Sequence, residues 1–172
     1  MIARRRSRPP RLPADAVARL GVPSQEKVLA WAESPGALAP TIAVATDRAL
    51  YADGLAGRTP WSRISRASWE EPMLTVVVLD AGGRAQRPIR LELTQSRDLP
   101  AAVHDRVTSS VVVSERVDLG GGANALLAAR RDSDTGEIGW SVVFDAGLDP
   151  TDPDLRRAAD AALGQWRGSL GI

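Results

Sequence analysis

His104 is the single histidine of the chain, and Asp105 and Arg106 adjoin it. Acid–base work by an imidazole needs a carboxylate placed to orient it and a pocket to hold the substrate. Neighbours on a helix point about 100° apart, so Asp105 does not orient His104 by adjacency. We read His104 as an ordinary helix residue. Ser109 and Ser110 follow without an oxyanion motif and read as helix-to-strand junction residues. Gly120, Gly121 and Gly122 resemble a phosphate cradle only in composition, because such a loop must deliver its anion to a helix N-terminus and a strand follows here. Asp145, Asp149, Asp152 and Asp154 cluster in sequence but lack calcium-loop spacing. Turn and cap chemistry accounts for most of them. With no cysteine in the chain, thiolate nucleophiles and thiolate metal sites are excluded. These observations predict no catalytic residue, no metal and no cofactor.

The tryptophans are the more unusual feature. Trp31, Trp61, Trp69, Trp140 and Trp166 stand beside one Tyr and one Phe. Core packing, with each indole N–H on a carbonyl, is the expectation for most of them. The alternative is a recognition surface in which Trp61 and Trp69 flank Arg63 and Arg66. Trp61 and Trp69 are eight residues apart, and a regular strand would turn both the same way.

Lys27 is the only lysine among 22 basic residues, so the arginine count reflects a coding bias before it reflects a function. Arg4, Arg5, Arg6, Arg8 and Arg11 all precede the first acidic residue, Asp15. The formal charge of +1 therefore conceals a basic tail on a mildly acidic body. That body is poor material for a specific nucleic-acid binder, whose basic footprint covers a folded face. The tail, which includes Arg4, Arg5 and Arg6, is read as disordered, and it offers a weak contact for anionic lipid or nucleic acid. No apolar run is long enough for a membrane helix. Pro9, Pro10 and Pro13 fall where a signal peptide needs its apolar segment, and the expected location is the cytoplasm.

The elements that would position these residues follow from periodicity and turn chemistry. Asp15 to Leu20 reads as a short helix closed by Gly21. Lys27 to Ala32 and Thr41 to Ala45 are short apolar runs, and Asp47-Arg48 interrupts the second before Ala49 to Tyr51, as a tight turn or as a bulge in one long strand. Asp53-Gly54 marks a turn, and Trp61 to Trp69 reads as a strand ended by Glu70-Glu71-Pro72. Residues 41 to 79 thus predict four strands, the last from Leu74 to Leu79, apolar on both faces. Ile89, Leu91 and Leu93 alternate with polar residues. Ser96 is the expected cap of a helix from about 97 to 109. Val111 to Leu119 alternates as a strand, and Leu126 to Arg131 with Ile138 to Phe144 forms a hairpin. Thr151 or Asp152 caps a final amphipathic helix with Pro153 in its first turn, and Gly168 is its expected end.

Residues 26 to about 109 carry Glu26-Lys27-Val28-Leu29, then Thr46-Asp47-Arg48-Ala49-Leu50-Tyr51, then Trp61-Ser62-Arg63-Ile64. In these segments the chain resembles bacterial pleckstrin-homology-like domains. Through Ser110-Val111-Val112, Arg130-Arg131 and Trp140 to Asp145 it also resembles an actinobacterial protein family with no assigned activity. The resemblance implies an α+β fold: an antiparallel, partly wrapped sheet with a central helix. Phosphoinositide-binding members of the pleckstrin-homology class carry basic residues in the loop after the first strand. Glu33 to Pro40 has none, so the resemblance does not imply headgroup binding in that mode.

The expected organisation is a basic tail (1–13), a pleckstrin-homology-like domain (14–109) and a β-β-β-α extension (110–172). The expected function is a non-enzymatic interaction module that binds a protein or peptide. Membrane-surface binding through the tail is one alternative, and a small-ligand or enzyme site is another.

Overall fold

In a computed structural model, residues 12–34, 41–94 and 98–171 are described. Among these residues the fold is α+β, with three antiparallel sheets and three α-helices. The chain opens with α1 (Ala14–Leu20), whose last turn is closed by Gly21 in the left-handed conformation (φ 66°). Next come β1 (Val28–Ser34), β2 (Thr41–Thr46), β3 (Ala49–Ala52) and the two-residue β4 (Thr59–Pro60). These pair in sequence order as one sheet. A second sheet, again in sequence order, holds β5 (Ile64–Glu70), β6 (Met73–Val78) and β7 (Ile89–Glu92). After α2 (Leu99–Ser110), a third sheet forms from β8 (Val111–Gly120), β9 (Ala123–Arg131) and β10 (Ile138–Phe144), with β9 in the middle. The chain closes with α3 (Pro153–Leu170).

Alternation along β2 explains why its residues are so thoroughly buried. Ala43 and Ala45 face the main core, where Leu50, Trp61, Ile64, Leu74, Leu91, Leu99 and Val103 meet. Ile42 and Val44 face the other way, onto Ala16 of α1, with Tyr51 beside them. A strand covered on both faces carries apolar side chains on both. The helix is tied down by Asp53, whose Oδ2 accepts from the Ile42 N–H (2.7 Å) and from Arg19 (3.1 Å).

The β2–β3 turn shows what the Thr46-to-Tyr51 motif does. Thr46 is fully buried, and its hydroxyl accepts from the Ala49 N–H (2.9 Å) and lies 2.6 Å from Glu26 Oε2, to which it donates. The Thr46 carbonyl takes the Trp61 indole N–H at 3.1 Å. The Thr46 hydroxyl closes the turn and holds the entry to β1, and its backbone carbonyl anchors the indole.

Several expectations are corrected. Residues 61 to 69 are not one strand: Trp61–Arg63 form a 3-10 turn and β5 begins at Ile64. Residues 41 to 79 hold a fifth strand, the two-residue β4. Gly168 does not stop the last helix, which runs to Leu170 and ends at Gly171, the next glycine able to take φ 66°. At its start Asp152 is the cap, accepting from the Asp154 and Leu155 N–H groups, and the 2.8 Å bond to Asp154 is the shorter. Ser96 lies outside the described residues. The N-cap position of α2 falls to Asp98, with no side-chain cap bond.

Beneath α3, Trp166, Ala159 and Ala162 pack on Ala125, Leu127 and Val142 of the third sheet. Trp140 and Trp166 meet edge to face at 5.5 Å, and Arg167 lies over the Trp140 ring at 5.0 Å. No described helix is long and apolar enough to cross a membrane.

Candidate functional site

Two places gather polar or exposed groups: the seam between the third sheet and the rest of the molecule, and the outer edge of β8.

The seam is built by the β9–β10 hairpin. Alternation on β9 sends Ala125 and Leu127 toward α3. Arg130 instead reaches the rest of the fold, where it is only 4% exposed. Its guanidinium donates to Ser110 Oγ (2.9 Å), to the Val107 carbonyl (3.3 Å) and to the Ser65 carbonyl (2.8 Å). Its Nε has no partner. All these acceptors are neutral, and burial lowers the Arg130 pKa. One cation thus joins the end of α2, β5 and β9.

The hairpin turn adds a charged network. Arg58 bonds Glu26 (2.7 Å) and Asp134 (2.6 Å), and Asp134 also bonds Arg48 (3.0 Å). Burial alone would lower the Arg58 pKa, but its two carboxylate partners outweigh this and raise it. Asp132 accepts from the Ser62 hydroxyl at 2.8 Å and from the Asp134 and Thr135 N–H groups. Burial pushes its carboxyl up, but these donors together with Arg58 hold it below the usual carboxylate range.

A cleft of about 420 Å3 opens along this seam, lined among others by Ser62, Arg63, Asp80, Asp132, Glu137 and Ser141. Its size falls within the range of small-ligand pockets. Several of its polar groups, however, already have hydrogen-bond partners. Ser141 donates to the Ala128 carbonyl, and Arg63 donates twice to the Leu79 carbonyl, at 2.7 and 3.1 Å. The Ser62 hydroxyl donates to Asp132, and a carboxylate held below its ordinary range is a weak proton acceptor.

The proposed Trp and Arg surface divides. Trp61 is 2% exposed and lies in the main core, where Trp69 packs half-buried against the same cluster. The two indoles share a side despite the 3-10 turn, because a register irregularity between Ile64 and Arg66 restores the phase. Trp61 therefore presents no face to a partner. Arg63 turns back onto Leu79, and Arg66 is exposed on β5. Arg4, Arg5 and Arg6 lie outside the described residues. His104 is exposed on α2. Of the aspartates around the start of α3, Asp145 pairs with Arg116, Asp154 pairs with Arg157, Asp149 bonds Thr151, and Asp152 caps the helix. Among the described residues no acidic or histidine group is arranged to hold a metal.

The β8 edge escaped sequence reasoning. Among the described residues no strand pairs with its side opposite β9. Ser114, Glu115 and Arg116 are exposed in succession. Val112 (46% exposed) and Leu126 (39%), the latter directly across from Arg116, add exposed apolar area. Alternation identifies a strand, but nothing in it says whether the strand has one neighbour or two.

Compared with known protein families, with curated proteins and with solved structures, the chain finds no match.

Proposed function

We propose that this chain is a non-enzymatic interaction module of pleckstrin-homology-like build, acting in the cytoplasm. It docks an extended segment of a partner protein along the free edge of β8. One observation carries the reading: among the described residues a ten-residue strand is paired on one side only, and its middle is open to solvent. Such an edge presents N–H and C=O groups that an incoming strand can pair with. The charges of Glu115, Arg116 and Asp118 keep it from indiscriminate pairing.

Proline scanning tests this. In an antiparallel ladder adjacent residues alternate between donating to the neighbouring strand and pointing away from it. Of Ser114→Pro and Glu115→Pro, one breaks the ladder to β9 and one removes an outward N–H. The outward variant is expected to keep the wild-type thermal midpoint and to lose a partner that the wild type captures from native cells after crosslinking. Equal capture by that variant, or no specific capture by the wild type, counts against the reading.

A further inference from the structure

Between the register irregularities at Val111/Val113 and Asp118/Gly120, β8 runs regularly against β9 from Val113 to Asp118. At about 3.3 Å per residue, this is an edge of about 20 Å. Val113 and Val117 pack into the cluster beneath α3. Ser114, Arg116 and Asp118 point to the other face and are exposed. Glu115 alternates onto the α3 side and is nevertheless exposed, so the helix leaves the middle of the edge uncovered.

A second copy of the chain is the simplest occupant of such an edge, and its geometry argues against it. Residues opposed across an antiparallel pair lie on the same face. A two-fold that extends the sheet must therefore pass through a residue, not between two. The two registers that use most of the regular stretch centre on Glu115 or on Arg116. The first opposes carboxylate to carboxylate, the second guanidinium to guanidinium, and directly opposed like charges are destabilising. Centring on Val117 opposes Arg116 to Asp118, but it leaves only three residues of the regular stretch paired.

We propose that the β8 edge takes an antiparallel strand from a different protein, with a charge pattern complementary to its own. The partner strand places a base opposite Asp118, an acid opposite Arg116, a base opposite Glu115, and apolar residues opposite Val117 and Val113. Arg116 already bonds Asp145. A guanidinium carries five N–H donors in a fork, so it can hold a partner carboxylate as well. The inference rests on the edge-docking reading and adds the partner's chemistry to it.

The test uses the full chain and a fluorescent peptide, Arg-Val-Glu-Arg-Thr-Val, written to run antiparallel to Asp118 through Val113. Its control is a scramble of identical composition, Val-Arg-Arg-Thr-Glu-Val, and anisotropy is the readout. The wild type is expected to prefer the first peptide by about tenfold. The variant Glu115→Arg/Asp118→Arg keeps the Arg116–Asp145 pair, and it is expected to lose that preference and to favour Glu-Val-Glu-Glu-Thr-Val. Hydrogen exchange of β8 amides is expected to slow when the first peptide binds. Equal binding of peptide and scramble, with β8 exchange slowed by both, leaves edge docking in place and overturns the charge pattern. Absence of binding to every peptide overturns both readings. A dimer in sedimentation that the double variant abolishes would overturn the choice of a different partner.

Discussion

Gly83 and Trp140 approach so closely that no side chain fits between them: a Cβ built on Gly83 would lie 2.0 Å from the Trp140 carbonyl oxygen. The contact lets the turn after β6 lie along β10, where the Val142 N–H donates to the Gly83 carbonyl at 3.0 Å and Arg84 bridges to Val142. This glycine therefore joins the second sheet to the third.

Gly83→Ala is expected to lower stability by about 3 kcal/mol or more, from overpacking against backbone together with the left-handed φ of 76°. Gly136→Ala separates the two causes, because Gly136 has a similar φ of 74° and nothing within 4 Å of an added Cβ. It is expected to cost about 1–2 kcal/mol. Urea denaturation of both variants measures the difference, and equal losses would show that the close approach is unimportant.

Arg130 holds the seam through neutral acceptors. Arg130→Met fills similar space but takes a donor from the Ser65 carbonyl and the Ser110 hydroxyl, while the Val107 carbonyl keeps the Ser110 hydroxyl at 2.7 Å. Its expected cost is about 2–4 kcal/mol, since stranded buried acceptors carry a desolvation penalty. Arg130→Lys is expected to recover part of this through one ammonium group. Wild-type stability in Arg130→Met, read from the denaturant midpoint, would show that the seam is held by apolar packing alone.

Tyr51 gives a pH signature. Its side chain is 1% exposed and its hydroxyl has no hydrogen-bond partner. Burial first, and the Glu26 carboxylate second, push its pKa up to about 12. In the unfolded chain the phenol titrates near 10. The folded value is the higher one, so the stabilising contribution is complete below about pH 10 and is lost as pH rises toward about 12. Tyr51→Phe is expected to remove this alkaline loss while staying within about 1 kcal/mol of wild type at pH 7, because the net worth of a single hydroxyl contact is of that size. Thermal midpoints from pH 7 to 12 check it, and an unchanged alkaline limb in the variant would assign the loss to another group.

Local chemistry carried most of the elements. The α1 helix ends at Gly21 as its chemistry requires, and the structure chose a turn over a bulge at Asp47-Arg48 and Asp152 over Thr151 as the cap of α3, each from alternatives set by residues adjacent in the chain. Sequence reading failed where a distant partner intervenes. The stretch from Trp61 to Trp69 alternates like a strand, yet its first residues form a 3-10 turn with the Trp61 indole on the Thr46 carbonyl. Gly168 has the chemistry to end a helix but is carried through it, while Trp166 and Leu170 pack beneath on the third sheet.

By itself the sequence determined the period of most strands and helices, the apolar side of α3 and the glycine that closes α1, all of which act over a few positions of chain. Tertiary structure alone decided that Trp61 is core, that Arg130 lies in the seam, and that β8 stands at an edge. Burial and strand neighbours depend on which segments return to the same place, and a side chain does not record in its own type how many neighbours it will meet.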